Sequence, residues 1–258
     1  LLLCDRATRR DDAERKFGSF FSEKQDIDVF FMGTSHVLDG VTPMELWRDY
    51  GISAYNMATS SETLGMTEQI LKLCIQTHKP KVAVIDVYYI DKPDDLEWTY
   101  SYRHLFFDAV PLSPAKFDAV RAILPKGEWL EFMMPFSLYH SRWEELLSGQ
   151  SARLVDCEPF MMGSEMRVGH GDPLPYTRTH DVAADELPGE AALRRIIDTC
   201  RSNGIEPVLM ALPAPVSEEE QMEMNRAQLL ADELGVPFLN LFDEATGIDF
   251  TTDCYDYL

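Results

Sequence analysis

The alternation of short β-rich runs with amphipathic helical stretches most constrains what this chain can fold into. A charged helix-like lead-in, Asp11 to Glu23, is followed by an apolar run from Ile27 to Met32 and a helical stretch from Pro43 to Tyr50. A strand-like run from Ile52 to Tyr55, an amphipathic helix from Leu64 to Thr77 and a strand from Val82 to Val87 come next. The alternation resumes with a helix at Glu190 to Asn203, a strand at Pro207 to Ala211, a helix from Ser217 to Leu234 and a short strand at Pro237 to Leu241. Strands separated by helices are joined by crossovers and so run parallel, which predicts an α/β fold around a doubly wound sheet. Gly204 and Gly235 stand where helix ends call for a left-handed residue.

Between residues 91 and 188 the alternation stops. This stretch carries Trp98, Tyr100, Phe106, Phe107, Trp129, Phe132 and Trp143, too apolar for a linker and too long for an ordinary connection. It reads as a helical insertion, a lid or side wall, within a single domain spanning 1–258. Its glycine-bracketed His170 has no second ligand spaced to match, so a surface turn is the reading there and no metal is expected.

Composition narrows the partners. With 44 acidic against 23 basic side chains, the formal net charge is −21, so a nucleic-acid backbone or an anionic membrane surface would be repelled. The five cysteines have no CxxC or zinc-type spacing, and Cys74 and Cys200 lie on apolar helical periodicities as buried thiols. No cofactor motif is present. No run is long enough to span a bilayer, but the opening Leu1-Leu2-Leu3 before Asp5-Arg6 suggests either a removed N-terminal anchor or an arbitrary boundary.

Chemistry-bearing residues cluster at the expected strand ends. Gly33-Thr34-Ser35-His36 follows the first apolar run, which delivers Ser35 to the carboxyl edge of a parallel sheet as a candidate nucleophile. Small residues in that position also serve simply as a turn or helix N-cap. His36, adjacent in sequence, is expected to line a pocket or cap a helix rather than act as base. After the second strand, Asn56 to Thr63 opens a helix whose free N–H groups suit an anion, with Ser60 or Ser61, Glu62 and Thr63 as capping residues. The third strand ends at Asp86-Val87-Tyr88-Tyr89, where the tyrosines either join a site or merely pack.

These blocks, in this order, resemble the SGNH/GDSL hydrolase superfamily, with Gly33-Thr34-Ser35 in the place of Gly-Asp-Ser. Asn56-x-Ala58-x-x-Ser61-Glu62-Thr63 follows the spacing of the family's Asn-x-Gly-x-x-Gly-Asp-Thr. The third block, Gly-x-Asn-Asp, falls on Asp86 to Tyr89 without its asparagine, leaving Tyr88 as a substitute donor. The family's final Asp-x-x-His is approached by the tail from Asp249, with Asp256 as its aspartate and the histidine expected beyond Leu258. A base built differently is the other possibility. More narrowly, Asp26 to His36 and Tyr139 to Trp143 look like extracytoplasmic DltD-like and alginate-acetylation-type acyltransferases of bacteria.

The resemblance implies a three-layer α/β/α sandwich with a flavodoxin-like sheet and a catalytic set of Ser35 and Asp256. It places oxyanion donors at the N–H groups of Ser35 and Ser61, with Tyr88. His36 as a pocket residue, and His140 with Arg142 as a cation beside Trp143, are candidate substrate contacts on their own residue chemistry, an ordinary amphipathic helix being the other reading of the latter segment. The expected activity is that of an extracytoplasmic serine esterase or O-acyltransferase on an acylated carbohydrate or cell-envelope polymer, the transferase form implying a membrane acyl-donor protein. The alternative is a catalytically silent scaffold that binds a glycan.

Overall fold

The computed structural model describes residues 12–134, 162–164, 178–250 and 253. Five strands form one parallel sheet in the order β2-β1-β3-β4-β5: β1 Val29–Met32, β2 Ala54–Asn56, β3 Val82–Asp86, β4 Glu206–Ala211 and β5 Phe238–Asn240. The expected doubly wound α/β fold is what the chain forms, and its strand order is the flavodoxin-like one.

Each strand presents alternate side chains to two cores. Phe30 and Met32 of β1, Ala83 and Ile85 of β3, and Leu209 and Ala211 of β4 face the larger core. Helices α1 Asp12–Ser22, α4 Leu64–Cys74 and α8 Glu190–Ser202 contribute to that core, the last two lying side by side. Val84 and Met210 face a smaller core, closed by Val37 and Leu38 of α2 Ser35–Gly40. Among the described residues the two helical layers are therefore unequal, the helix after β1 having only six residues. Helix α3 Pro43–Tyr50 packs beside the edge strand β2 and stops at Gly51, whose φ of 68° is left-handed.

Beyond β3 the described part of the insertion is helical: α5 Tyr100–Phe107, α6 Pro114–Ile123 and α7 Trp129–Met133. It packs on the helices of the larger core, α5 against α1 and α6 against α4. Phe106, Phe107 and Phe132 are wholly buried there, and the Phe17 and Phe106 rings meet edge to face at 4.7 Å. Trp98 by contrast stays half-exposed, its ring 6.2 Å from that of Tyr89. Residues 162–164 return to the outer edge of β2, where the Met162 carbonyl accepts the Asn56 N–H at 2.8 Å.

The stretch expected as one helix from Ser217 divides into α9 Glu218–Asn225 and α10 Ala227–Leu234. At the break the Arg226 N–H is shared between the Met222 and Glu223 carbonyls, a tightened turn, while its guanidinium reaches Glu190 and the carbonyls of Ala183 and Ala184. That long-range anchor has no counterpart in the local apolar pattern. Cys74 and Cys200 are free, buried thiols, with Cys200 pushed up to about 12 by desolvation. Among the described residues no helix is long and apolar enough to cross a membrane.

Candidate functional site

In a sheet of this order, the chain leaves β1 and β3 in opposite directions, opening a crevice at their carboxyl ends. Gly33 to His36 follow β1 at that crevice, and Val87 to Tyr89 follow β3. Gly33 has φ 152°, and a Cβ there would run into Asp86 Cβ and lie 2.9 Å from Val37 Cγ2. Only glycine allows the chain to turn this close to β3.

Thr34 caps α2, its Oγ1 accepting the His36 N–H at 3.4 Å and donating to Asp86 Oδ2 at 3.3 Å. Asp86 also accepts backbone N–H groups from Thr34, Val87 and Tyr88, the last at 3.2 Å. Burial pushes its carboxyl up to about 7 in spite of those donors. Thr34 and Asp86 thus tie the turn after β1 to the end of β3. In the sequence both positions stand out only as departures from a motif, and the hydroxyl between Gly33 and Ser35 is the one signal of this contact.

Ser35 is the first residue of α2 and only partly buried. Its hydroxyl has no hydrogen-bond partner among the described residues, and its N–H belongs to the first helical turn, which lacks intrahelical acceptors. His36 is buried, its Nδ1 without a partner among the described residues and its ring edge-on to Tyr88 at 3.9 Å. Desolvation lowers its pKa to about 4, so the imidazole is neutral near pH 7.

The second turn is held against the first. Met57 N–H donates to the Phe31 carbonyl at 2.6 Å and Thr59 N–H to the Gly33 carbonyl at 3.1 Å, continuing the β1–β2 pairing past both strands. Ser61 sits at the crest in left-handed backbone, φ 58°, and Thr63 caps α4. A side-chain hydrogen bond joins Ser61 to Tyr89, whose ring stacks on Tyr88 at 4.9 Å. Desolvation, then Tyr89 and nearby carboxylates, raise Tyr88 to about 12, so its phenol keeps its proton and remains a donor. Beyond it lies a small pocket lined by Tyr88, Tyr89, Asp91, Lys92, Glu220 and Met224.

Ser35, His36, Ser61 and Tyr88 are therefore gathered at one sheet edge from three segments. His140, Arg142 and Asp256 lie outside the described residues, as does the loop around His170. No group of His, Cys, Asp and Glu among the described residues could hold a metal ion.

Neither a protein-family model nor a curated protein matches the sequence. Solved structures do: 14 chains match, among them a GDSL-like lipase from Bacteroides thetaiotaomicron with a TM-score of 0.41. The identity to that lipase is 11%, over 89% of this chain and 78% of the lipase.

Proposed function

We propose that the chain is an SGNH-type serine ester hydrolase or O-acyltransferase that works through an acyl-enzyme on Ser35. The observation that carries this reading is the pairing of two turns: Ser35 opens a helix at the topological switch point, and the Thr59 to Gly33 hydrogen bond holds the Ser61 turn beside it. Ser35 Oγ attacks the ester carbonyl carbon, its proton passing to a base outside the described residues that Asp256 orients. The oxyanion forms against the N–H groups of Ser35 and Ser61, with the protonated Tyr88 phenol as a third donor. The alcohol leaves with a proton, and water or a sugar hydroxyl then attacks the acyl carbon to release Ser35.

The part-buried Tyr89, bonded to Ser61, and the half-exposed Trp98 whose ring meets it favour a bulky, hydroxyl-rich acyl ester such as an acylated glycan. The cell-envelope setting and the membrane acyl donor are proposed from the sequence resemblance, and His140 and Arg142 as substrate contacts from the cation beside Trp143 in their segment. A second reading, a silent glycan-binding scaffold, is favoured by one observation: no base touches the Ser35 hydroxyl among the described residues, since His36 packs on Tyr88. Labelling with a fluorophosphonate, followed by intact mass, separates the two. The hydrolase reading expects one adduct, absent in Ser35→Ala, with p-nitrophenyl acetate turnover falling at least about 1,000-fold in that variant. Glycan binding without labelling would establish the scaffold reading instead.

A further inference from the structure

Directly after Ser61 stands Glu62, its carboxyl group 3% exposed at the base of the turn. Its Oε2 accepts the Thr59 N–H at 3.0 Å and the Thr59 hydroxyl at 3.2 Å, and its Oε1 accepts the Thr67 hydroxyl at 2.7 Å. Thr67 belongs to the first turn of α4 and Thr59 to the loop end nearest β1, so one side chain bridges both ends of the Ser61 turn. The same Thr59 N–H reaches the Gly33 carbonyl, two residues before Ser35. Lys16 supports the arrangement from α1, its Nζ donating to the Ala58 carbonyl at 2.6 Å.

A buried ionisable group is expensive to retain, and a non-glycine residue in left-handed backbone costs about 1–2 kcal/mol. Both costs fall on adjacent residues here. A turn that needed only to connect β2 to α4 would incur neither, because glycine at position 61 and an apolar residue at 62 would serve. The arrangement makes sense if the direction of the Ser61 N–H matters.

We infer that Glu62 is a positioning residue that sets the Ser61 N–H relative to Ser35, by clamping Thr59 to Thr67. The inference rests on the oxyanion role proposed for Ser61. It touches no substrate and acts wholly through the turn. Glutamine can preserve the clamp: its Oε1 still accepts from Thr59, and its Nε2 donates to the Thr67 hydroxyl, which then donates to the Thr63 carbonyl 3.2 Å away. Alanine cannot.

The test compares wild type, Glu62→Gln, Glu62→Ala and Thr67→Val in the full chain. The measurements are p-nitrophenyl acetate kinetics, fluorophosphonate labelling rate, thermal melting and amide hydrogen exchange over residues 57–63. Loss of an aligned oxyanion donor costs about 100-fold or more in kcat. Glu62→Ala is therefore expected to lose about 100-fold in kcat and labelling rate with KM within about twofold, and to exchange faster across the turn. Glu62→Gln should recover to within about tenfold of wild type, and Thr67→Val should fall between them. A folded Glu62→Ala with wild-type kcat overturns the inference, as does a Glu62→Gln no better than alanine. If Glu62→Ala does not fold, Thr67→Val decides, and wild-type kcat there overturns it. A wild type that never labels removes the esterase reading instead, and the exchange data then judge the clamp: unchanged protection in Glu62→Ala overturns it.

Discussion

Gly33 shows how much can rest on the absence of one methyl group. Its φ of 152° and the place a Cβ would take against Asp86 give alanine two separate penalties, backbone strain and overlap with an immobile strand end. Gly33→Ala is expected to destabilise the protein by about 2–4 kcal/mol, read from urea unfolding. It should also lower Ser35 labelling in molecules that remain folded, since the turn must swing away from β3. An alanine variant as stable as wild type would show that the turn is looser than its hydrogen bonds imply. Ser35 itself should bear almost none of the stability, because its hydroxyl has no partner among the described residues.

At the scale of elements, the described insertion is joined to the core through aromatic contacts. Phe106 from α5 is fully buried against Phe17 of α1 and lies 5.5 Å from Phe107, while Phe107 meets Phe132 of α7 at 6.0 Å. Truncating a buried Phe to alanine typically costs 3–5 kcal/mol, so Phe106→Ala should lose about that much in chemical denaturation. The loss should come with increased hydrogen exchange in both α1 and α5. Exchange confined to α5 would mean that the insertion unfolds independently. The aromatic content of residues 91–188 is itself too high for a linker. Which rings turn inward, as Phe106 does, and which stay half-exposed near the crevice, as Trp98 does, depends on where α1 and α4 lie, and local pattern does not record that.

For the whole molecule, buried titratable groups and surface charge set how stability varies with pH. Asp86 rises from 3.8 to about 7 and Glu62 from 4.5 to about 8, both chiefly through desolvation, so the folded state holds protons that the unfolded chain has released. Their contribution therefore falls as pH rises from the unfolded values through the folded ones. His36, lowered from 6.5 to about 4, acts in the other direction, gaining stability as pH rises from about 4 to 6.5. Above pH 6.5 only the loss remains, and growing self-repulsion from a net charge of −21 adds to it. Unfolding free energy is expected to decline between pH 6.5 and 8.5. The difference between wild type and Asp86→Asn should shift against wild type from about pH 4 to 7, then level off. A difference independent of pH would show that Asp86 titrates normally.

The sequence by itself determined the parallel α/β framework, because alternating strand and helix periods leave few other layer arrangements. It also located Ser35, where Gly33 ends the first apolar run, and the turns carrying Ser61 and Tyr88, where the next two β-rich runs give way to polar and helical sequence. Parallel strands already bring those ends to one edge, and tertiary structure alone set the strand order and the register of β1 with β2 and β3 that open the crevice there. It alone set Thr34 on Asp86, Lys16 beneath Ala58, and Arg226 across to Glu190. These pairs are 52, 42 and 36 residues apart. The physical reason is that a polar side chain's burial and partners depend on which distant segments pack around it, and a local pattern carries the period of an element but not the identity of its neighbours.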